Sequence, residues 1–198
     1  MDDASEQIAG VDEVGRGALF GPVVAATVIL SDGAIEQLVA QGMTDSKKLS
    51  PQRRMILMNQ IREVATGFRV GMASVYEIDR LNILQASLLA MRRAVLGLPS
   101  TPQLCLVDGN QRIPNLPVPQ RTVVKGDQSE PEIAAASILA KVWRDQLIVR
   151  LDQRYPGYDL ASNKGYGSAK HRQALRELGP TRQHRLSFAP CQASLLPD

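Results

Sequence analysis

Residues 10–30 read "GVDEVGRGALFGPVVAATVIL" and join two apolar segments through a glycine-rich turn, with two adjacent acids at the end of the first segment. The segments "QIAGVDE" and "VVAATVILS" are typical of short β-strands, and "FRVGMASVY" from Phe68 predicts a third. Beyond them, apolar runs alternate with helix signals. Three consecutive strands followed by such an alternation predict a mixed α/β sheet rather than a fully parallel one.

Local signals place the helices and the remaining strands. Ser50 followed by Pro51 is typical of a helix N-cap and a first helical residue, and predicts a helix over about residues 52–65. Asn82 predicts the cap of a second helix, "ILQASLLAMRRAV", whose apolar residues recur at helical spacing. The runs "LCLVDG" and "RTVVKGD" predict two more strands, and helices are expected over about residues 131–154 and 168–178.

Composition limits the class of protein. The chain has 198 residues, of which 44% are hydrophobic and 22% charged, as expected for one globular domain spanning residues 1–198. Its longest apolar runs, "VVAATVIL" and "IAAASILA", are far shorter than the roughly 20 residues that cross a bilayer. The N-terminus "MDDASEQ" is acidic, unlike a signal peptide, and Cys105 and Cys191 cannot form a disulfide framework. These features predict a cytoplasmic protein without a membrane segment, in which Cys105 is buried.

Basic residues are concentrated near the C-terminus. The net charge is +3, but residues 164–185 carry six Lys or Arg against the single acid Glu177, and contain both histidines of the chain. A basic C-terminal region from about residue 155 is compatible with binding of a polyanion such as nucleic acid. It is equally compatible with a solvated helix surface.

The four acids that we select as candidate ligands close apolar strands. They are Asp12, Glu13, Asp108 and Asp127. If these strands are neighbours, their carboxylates converge and repel one another, which a bound cation would relieve. Oxygen ligands without Cys or His favour Mg²⁺ or Mn²⁺ over zinc. Adjacent strand residues point to opposite faces, so either the strand bends at Asp12 and Glu13 or one of them acts through its carbonyl. Taken singly, Asp before Gly is also an ordinary turn signal.

Glycine-flanked cations accompany these acids. In "GRG" the glycines permit close approach of the main chain to a ligand, and the arginine offers a planar donor fork. In "NKGYG" a cation and an aromatic ring could hold a phosphate and stack on a sugar or base, and "TDSKKLS" adds lysines before a helix N-terminus. Each could instead be a turn with a solvated charge. The candidate substrate-binding residues are Gly15, Arg16, Gly17, Lys47, Lys48, Lys164 and Tyr166.

Seven segments together resemble the motifs of ribonuclease HII, the type 2 ribonuclease H of bacteria, in order and spacing. They are "AGVDEVGRGALFGPVVAA", "DSKKLS", "VDGN", "VVKGD", "EIAAASILAKVWRD", "NKGYGSAKH" and "HRLSFAP", and they extend over residues 8–190. The resemblance implies a ribonuclease H-like fold, a mixed five-stranded sheet flanked by helices with a helical C-terminal extension. It also implies a monomeric endonuclease that cuts the RNA strand of RNA–DNA hybrids and nicks duplex DNA 5′ to embedded ribonucleotides, leaving 5′-phosphate and 3′-hydroxyl ends.

The resemblance also implies residue roles. The metal-binding carboxylates of the family fall on Asp12, Glu13, Asp108 and Asp127, which would hold two Mg²⁺ or Mn²⁺ ions. The Gly-Arg-Gly backbone would recognise the 2′-hydroxyl, and Tyr166 would stack on the adjoining deoxyribose. Asp145 matches a family motif and is expected to act behind the carboxylates. Ala18 stands where the family commonly has Pro, and Asn163 where it frequently has His.

Two other functions fit parts of the sequence. Asp12 with Lys125 and Asp127 also suits a haloacid-dehalogenase-like phosphatase, but that family expects an Asp at the position of Val14. A non-catalytic nucleic-acid-binding module would account for the basic C-terminal region. It leaves the acids unexplained, because carboxylates repel phosphate unless a metal intervenes.

Overall fold

The computed structural model describes residues 7–193, which contain a five-stranded sheet. The strands are β1 (Ile8–Val14), β2 (Val23–Ile29), β3 (Gly67–Ala73), β4 (Leu104–Asp108) and β5 (Gln120–Val123). Their order across the sheet is β3-β2-β1-β4-β5, with β1, β2 and β3 antiparallel and β1, β4 and β5 parallel. The predicted mixed sheet is therefore confirmed, and β1, which carries the paired acids, lies at its centre.

Helices cover both faces of the sheet. They are α1 (Asp32–Ala40), α2 (Pro51–Val64), α3 (Val75–Leu81), α4 (Ile83–Leu96), α5 (Gly126–Ser129), α6 (Pro131–Asp152), α7 (Leu160–Asn163), α8 (Ala169–Leu178) and α9 (Ala189–Ala193), with a 3-10 turn at Ser46–Lys48. One core cluster joins one face of β1 and β2 to α4, and a second joins the other face of β2 to α1, α2 and α6. Within residues 7–193, no helix is both long and apolar enough to cross a membrane.

The alternation of side chains along β1 decides what lies beside the acids. Ala9 and Val11 belong to the core cluster on the α4 side. Gly10 faces α6, where an added Cβ would lie 2.1 Å from the carbonyl carbon of Glu132. A glycine is required there because the first turn of α6 packs directly on the backbone of β1. By the same alternation, Asp12 faces α6.

A third apolar cluster joins the C-terminal helices to the loop after β1. Leu19 and Phe20 pack with Ile148 from the end of α6, and with Leu160 and Leu175 from α7 and α8. The loop between β1 and β2 is therefore held against the C-terminal part of the chain. Cys105 and Cys191 are both buried, as expected for Cys105.

Some element boundaries differ from the sequence prediction. The third strand ends at Ala73, and Ser74 and Glu77 form a capping box that starts α3, so Tyr76 lies in a helix rather than in a strand. α1, which Ser31 caps, was not predicted. The predicted caps Ser50 and Asn82 are confirmed. The predicted long helix is also confirmed, although it ends at Asp152.

Candidate active site

Asp12 is a buried carboxylate between β1 and α6. It is 6% exposed, and its Oδ1 accepts a hydrogen bond of 2.7 Å from the amide of Glu13. The hydroxyl of Ser137 on α6 also hydrogen-bonds to the Asp12 carboxylate, and it lies 2.9 Å from the hydroxyl of Ser46. Asp12 was predicted to lie at the end of its strand, but β1 continues through Val14.

Glu13 points to the opposite face of the sheet and lines a cleft of about 200 Å³ with Asp108. The guanidinium of Arg16 lies 3.3 Å from its Oε1. Asp108, the last residue of β4, interacts electrostatically with both Asp12 and Glu13. Asp12 and Glu13 thus lie on opposite faces of the sheet, and Asp108 lies at the carboxyl end of the neighbouring strand β4.

Asp108 and Asp127 are joined through a tight turn after β5. The amide of Gly126 donates a 2.8 Å hydrogen bond to Oδ1 of Asp108. Lys125 adopts a left-handed conformation with φ 58°, which starts α5 and turns Asp127 into the site, where it is 4% exposed. The prediction that Asp127 closes a strand is wrong, because β5 ends at Val123. Asp127 nevertheless faces Asp108, which confirms the predicted neighbourhood of these two acids.

Lys47 is a second cation, besides Arg16, that contacts this acid set. Its Nζ lies 2.9 Å from Oδ2 of Asp127. The side chain of Asp45 accepts from the amide of Lys47 and caps the 3-10 turn that carries it. The hydrogen bond from Nζ to Asp127 raises the pKa of Lys47. Lys48 is exposed on the same turn, on the solvent side.

The acids disfavour one another's ionisation. Burial raises the pKa of Asp12 well above its usual value, and the neighbouring Glu13 and Asp108 raise it further. Burial also raises the pKa of Glu13, with a further contribution from Asp108 that Arg16 opposes. Burial and the charge of Asp127 raise the pKa of Asp108. The site therefore concentrates negative charge that the protein itself compensates only in part.

This set of donors fits a hard divalent cation. All four acids offer oxygen ligands, and the buried, mutually repelling carboxylates would be stabilised by added positive charge. As the side chains stand, no three His, Cys, Asp or Glu residues among those described are close enough together to hold a metal ion. The fit therefore rests on the chemistry and the electrostatics of the donors.

The loop that follows the acids uses its two glycines differently. Gly15 has φ +91°, and an added Cβ would lie 2.1 Å from Nε of Arg144, so close packing of the protein requires this glycine. Gly17 is exposed, and nothing lies within 4 Å of the position that a Cβ would take. Only Gly17 therefore leaves the open backbone surface that was predicted for both. Arg16, predicted as a ligand donor, is half exposed beside Glu13.

Two buried arginines that were not predicted fix this loop. Arg144 of α6 donates to the carbonyls of Pro22, Phe20 and Lys164 at 2.9–3.1 Å. Arg185 donates to the carbonyls of Gly21 and Arg16, at 3.0 and 2.8 Å. Both are fully buried. For Arg144, the only local signal of burial was its position inside the apolar segment "IAAASILAKVWRD". Arg185 had no such signal.

Tyr166 lies beside this loop on a cationic helix face. It forms an isolated antiparallel bridge with Ala18. The charged groups of Lys141 and Arg144 lie 5.8 and 5.5 Å from its ring centroid. Asp145, expected to act behind the carboxylates, accepts a 2.9 Å hydrogen bond from Lys141.

The basic region is not a single surface. Lys170, Arg172 and Arg176 are exposed on α8, whereas both histidines and Arg185 are buried. The amino group of Lys164 hydrogen-bonds to the carbonyl of Ala161. The structure therefore brings Tyr166 and the Gly-Arg-Gly loop together, but directs the amino group of Lys164 to its own helix.

The profile of the protein family described as Ribonuclease HII matches residues 9–191 of this chain. The chain belongs to the ribonuclease HII family. Among similar proteins, the ribonuclease HII of Trichodesmium erythraeum is 64% identical over 187 residues, which cover 94% of this chain and 89% of that protein. That of Trichormus variabilis is 61% identical over 188 residues, covering 95% and 84%.

Solved structures agree with the fold. The ribonuclease H2 of Pyrococcus horikoshii superposes with a TM-score of 0.79 at 26% identity, over 95% of this chain and 96% of that one. A ribonuclease HII of Archaeoglobus fulgidus, solved in complex with PCNA, gives 0.73 at 26% identity, over 96% and 98%. A Bst ribonuclease HIII solved with Mn²⁺ gives 0.78 at 20% identity, over 96% and 70%, which indicates a shared fold. The expected ribonuclease H-like fold is confirmed.

Membership of the ribonuclease HII family makes this chain a ribonuclease H hydrolase that cleaves the RNA strand of RNA–DNA hybrids. Enzymes of the family depend on divalent metal ions. The two alternatives, a phosphatase and a non-catalytic binding module, are therefore excluded.

Proposed function

We propose that this ribonuclease HII also nicks duplex DNA on the 5′ side of a single embedded ribonucleotide, leaving 5′-phosphate and 3′-hydroxyl ends. One observation carries the proposal: Glu13 and Asp108 of the acid set line the same cleft as Arg16 of the Gly-Arg-Gly loop. Arg16 lies 3.3 Å from Glu13, and the same loop forms a bridge to Tyr166. A phosphate held at the acids would therefore be next to a sugar read by the loop.

The acids supply the reaction centre in this proposal. Asp12, Glu13, Asp108 and Asp127 would hold two Mg²⁺ or Mn²⁺ ions. When bound, such ions activate a water and stabilise the charge that develops on the attacked phosphate and on the departing 3′-oxygen. Ser137 orients Asp12, and the amide of Gly126 orients Asp108. Lys47, beside Asp127, adds a positive charge near the attacked phosphate.

The loop and Tyr166 provide selectivity. Only a ribonucleotide offers a 2′-hydroxyl, so groups that contact this position must distinguish RNA from DNA. The open backbone at Gly17 lets a sugar approach closely. The ring of Tyr166, held against the loop by its bridge to Ala18, provides a surface for the next sugar. Lys48 and Lys164 would bind the phosphate backbone more remotely.

The test uses a DNA duplex with one ribonucleotide and a matched duplex with none, each with Mg²⁺, Mn²⁺ or chelator. We expect metal-dependent nicking 5′ to the ribonucleotide and no cleavage of the all-DNA duplex. Asp108→Asn should abolish nicking while retaining duplex binding, and the exposed Glu36→Gln serves as the control. Absence of a nick with either metal, or normal nicking by Asp108→Asn, would contradict the proposal.

We further propose that the chain acts as a monomer in the cytoplasm. The loop, Tyr166 and all four acids come from one chain, so the proposed site needs no second copy. Burial raises the pKa of the Cys105 thiol to about 12 and that of Cys191 to about 11, which suits thiols kept unreactive in a reducing compartment. Light scattering during turnover would test the monomer, because a dimer at working concentration would contradict it.

A further inference from the structure

The two histidines of the chain form a buried pair beneath Tyr166. His171 of α8 is fully buried and His184 is 1% exposed. Their Nε2 atoms are 3.0 Å apart, which is hydrogen-bond distance. The ribonuclease mechanism does not use either ring directly, because both are enclosed by Tyr158, Phe20 and neighbouring backbone.

The partners at each end of the pair decide its tautomers. Nδ1 of His171 lies 2.9 Å from the carbonyl oxygen of Tyr166, which can only accept, so this nitrogen carries a proton. Nδ1 of His184 accepts a 2.9 Å hydrogen bond from the amide of Thr181, so it carries none. A neutral His184 is then protonated at Nε2 and donates to the unprotonated Nε2 of His171. This arrangement satisfies every ring nitrogen only when both imidazoles are neutral.

The pair joins three segments that carry the substrate-reading surface. His171 holds the Tyr166 carbonyl, which also accepts from the amide of Ser168 at 2.8 Å. His184 forms an isolated antiparallel bridge with Phe20, in the loop that follows Gly17. The segment of Tyr166 and the loop are joined directly by the Tyr166–Ala18 bridge and by the amide of Leu19, which donates to the Gly165 carbonyl at 2.8 Å. The imidazole–imidazole hydrogen bond adds a second link between them.

We propose that His171 and His184 are positioning residues for substrate recognition, and that the neutral pair fixes the Tyr166 backbone against the loop that follows Gly17, in addition to the direct backbone bonds. This inference rests on the proposed role of Tyr166 in binding the sugar next to the ribonucleotide. Adding a proton to His171 would set two N–H groups against each other at Nε2. Adding one to His184 would do the same against the Thr181 amide. Either event removes a hydrogen bond of the pair and leaves the direct backbone bonds alone to hold the two segments.

The surroundings favour the neutral state. Burial lowers the pKa of His171, against weaker opposing effects of the Tyr166 carbonyl and of Asp159. Burial and His171 lower the pKa of His184 to about 4. The other titratable group facing both rings is Tyr158, whose hydroxyl donates to the Gly179 carbonyl at 2.7 Å. The link through the imidazole pair is therefore complete at neutral pH and fails in acid.

Imidazole ¹⁵N NMR tests the pair directly, because the chain contains only two histidines. In untagged protein at pH 7.5 we expect one ring protonated at Nδ1 and the other at Nε2, with neither titrating near pH 6.5. This readout needs no substrate, so it stands even if nicking of single ribonucleotides is not observed. Two rings of the same tautomer, or either ring titrating at pH 6 or above, would overturn the inference.

Kinetics test the positioning role. His171→Leu removes the donor to Tyr166 and should raise KM for the single-ribonucleotide duplex about tenfold, as expected for loss of about one hydrogen bond, with little change in kcat. His171→Asn keeps an N–H at the same number of bonds from Cα but cannot reach His184, so its KM should lie between those of His171→Leu and the wild type. The control Leu57→Ala removes a buried side chain of α2 that belongs to a different core cluster, and should keep the wild-type KM at 25 °C.

Three results would contradict the positioning role. They are equal KM values for His171→Leu and the wild type, a KM for His171→Asn no lower than that of His171→Leu, and an equal KM rise in Leu57→Ala. If the wild type cuts hybrids but not the single-ribonucleotide duplex, the proposed function fails. The same three comparisons on the hybrid then decide the inference separately.

Discussion

Replacing Gly15 by alanine should destabilise the protein far more than the same change at Gly17. Gly15 has φ +91°, where a side chain costs about 1–2 kcal/mol. Its new Cβ would lie 2.1 Å from Nε of Arg144 and would displace a buried guanidinium that donates to three carbonyls. Loss of one such charged hydrogen bond costs about 1.5–3 kcal/mol. The free energy of unfolding should fall by roughly 3–5 kcal/mol, and Tm by about 10 °C or more.

Gly17→Ala is the matched control, because its Cβ meets nothing within 4 Å. We expect its free energy of unfolding to stay within about 0.5 kcal/mol of the wild type. Its added methyl faces the proposed sugar site, so KM should rise severalfold. Urea unfolding followed by circular dichroism measures both stabilities. The reasoning is refuted if Gly15→Ala loses less than about 1 kcal/mol, or if Gly17→Ala loses as much as Gly15→Ala.

Three further predictions concern charge. Asp12→Asn should stabilise the metal-free protein by on the order of 1 kcal/mol, because a buried, repelled carboxylate is removed; a lower urea midpoint in chelator would contradict this. Lys47→Met should lower the Mn²⁺ concentration for half-maximal activity severalfold, since its ammonium no longer competes for Asp127, and an unchanged titration would count against it. Because the pKa of His184 is lowered to about 4, its contribution to stability is complete above about pH 6.5 and is lost as the pH falls towards 4. Urea midpoints should show this loss in the wild type and a smaller one in His184→Asn.

Local signals were sufficient to find the acids, but not to explain how they meet. Period-2 alternation identified β1 and β4, so Asp12, Glu13 and Asp108 could be selected before the sheet order was known. Asp127 was selected for the wrong reason, because its apolar run ends four residues earlier and a left-handed Lys125 turns it into the site. Local sequence does not specify such a turn.

Two helices were missed although their caps were visible. Ser74 and Glu77 have capping-box spacing, but the apolar alternation of the preceding strand was extended through them. Ser31 similarly caps α1 directly after a fully buried strand. In both places the strand signal and the helix signal adjoin, and boundaries are the least certain part of a sequence prediction.

The arginines that fix the loop could not be predicted from the sequence. Arg144 and Arg185 bind backbone carbonyls, which every residue has, and those in the loop lie 122 to 169 positions away along the chain. No residue type marks the partner of such a bond. Only the packing of α6 and the C-terminal region against the loop shows which carbonyls are reached.

These long separations also set an order on the ribosome. The chain is made from its N-terminus, so Asp12, Asp108 and Asp127 are synthesised well before Arg185. A nascent chain therefore possesses every acid of the site while the loop carbonyls of Arg16 and Gly21 still lack their donor. The loop proposed to read the sugar therefore gains its donor Arg185 only after every acid of the proposed site has been synthesised.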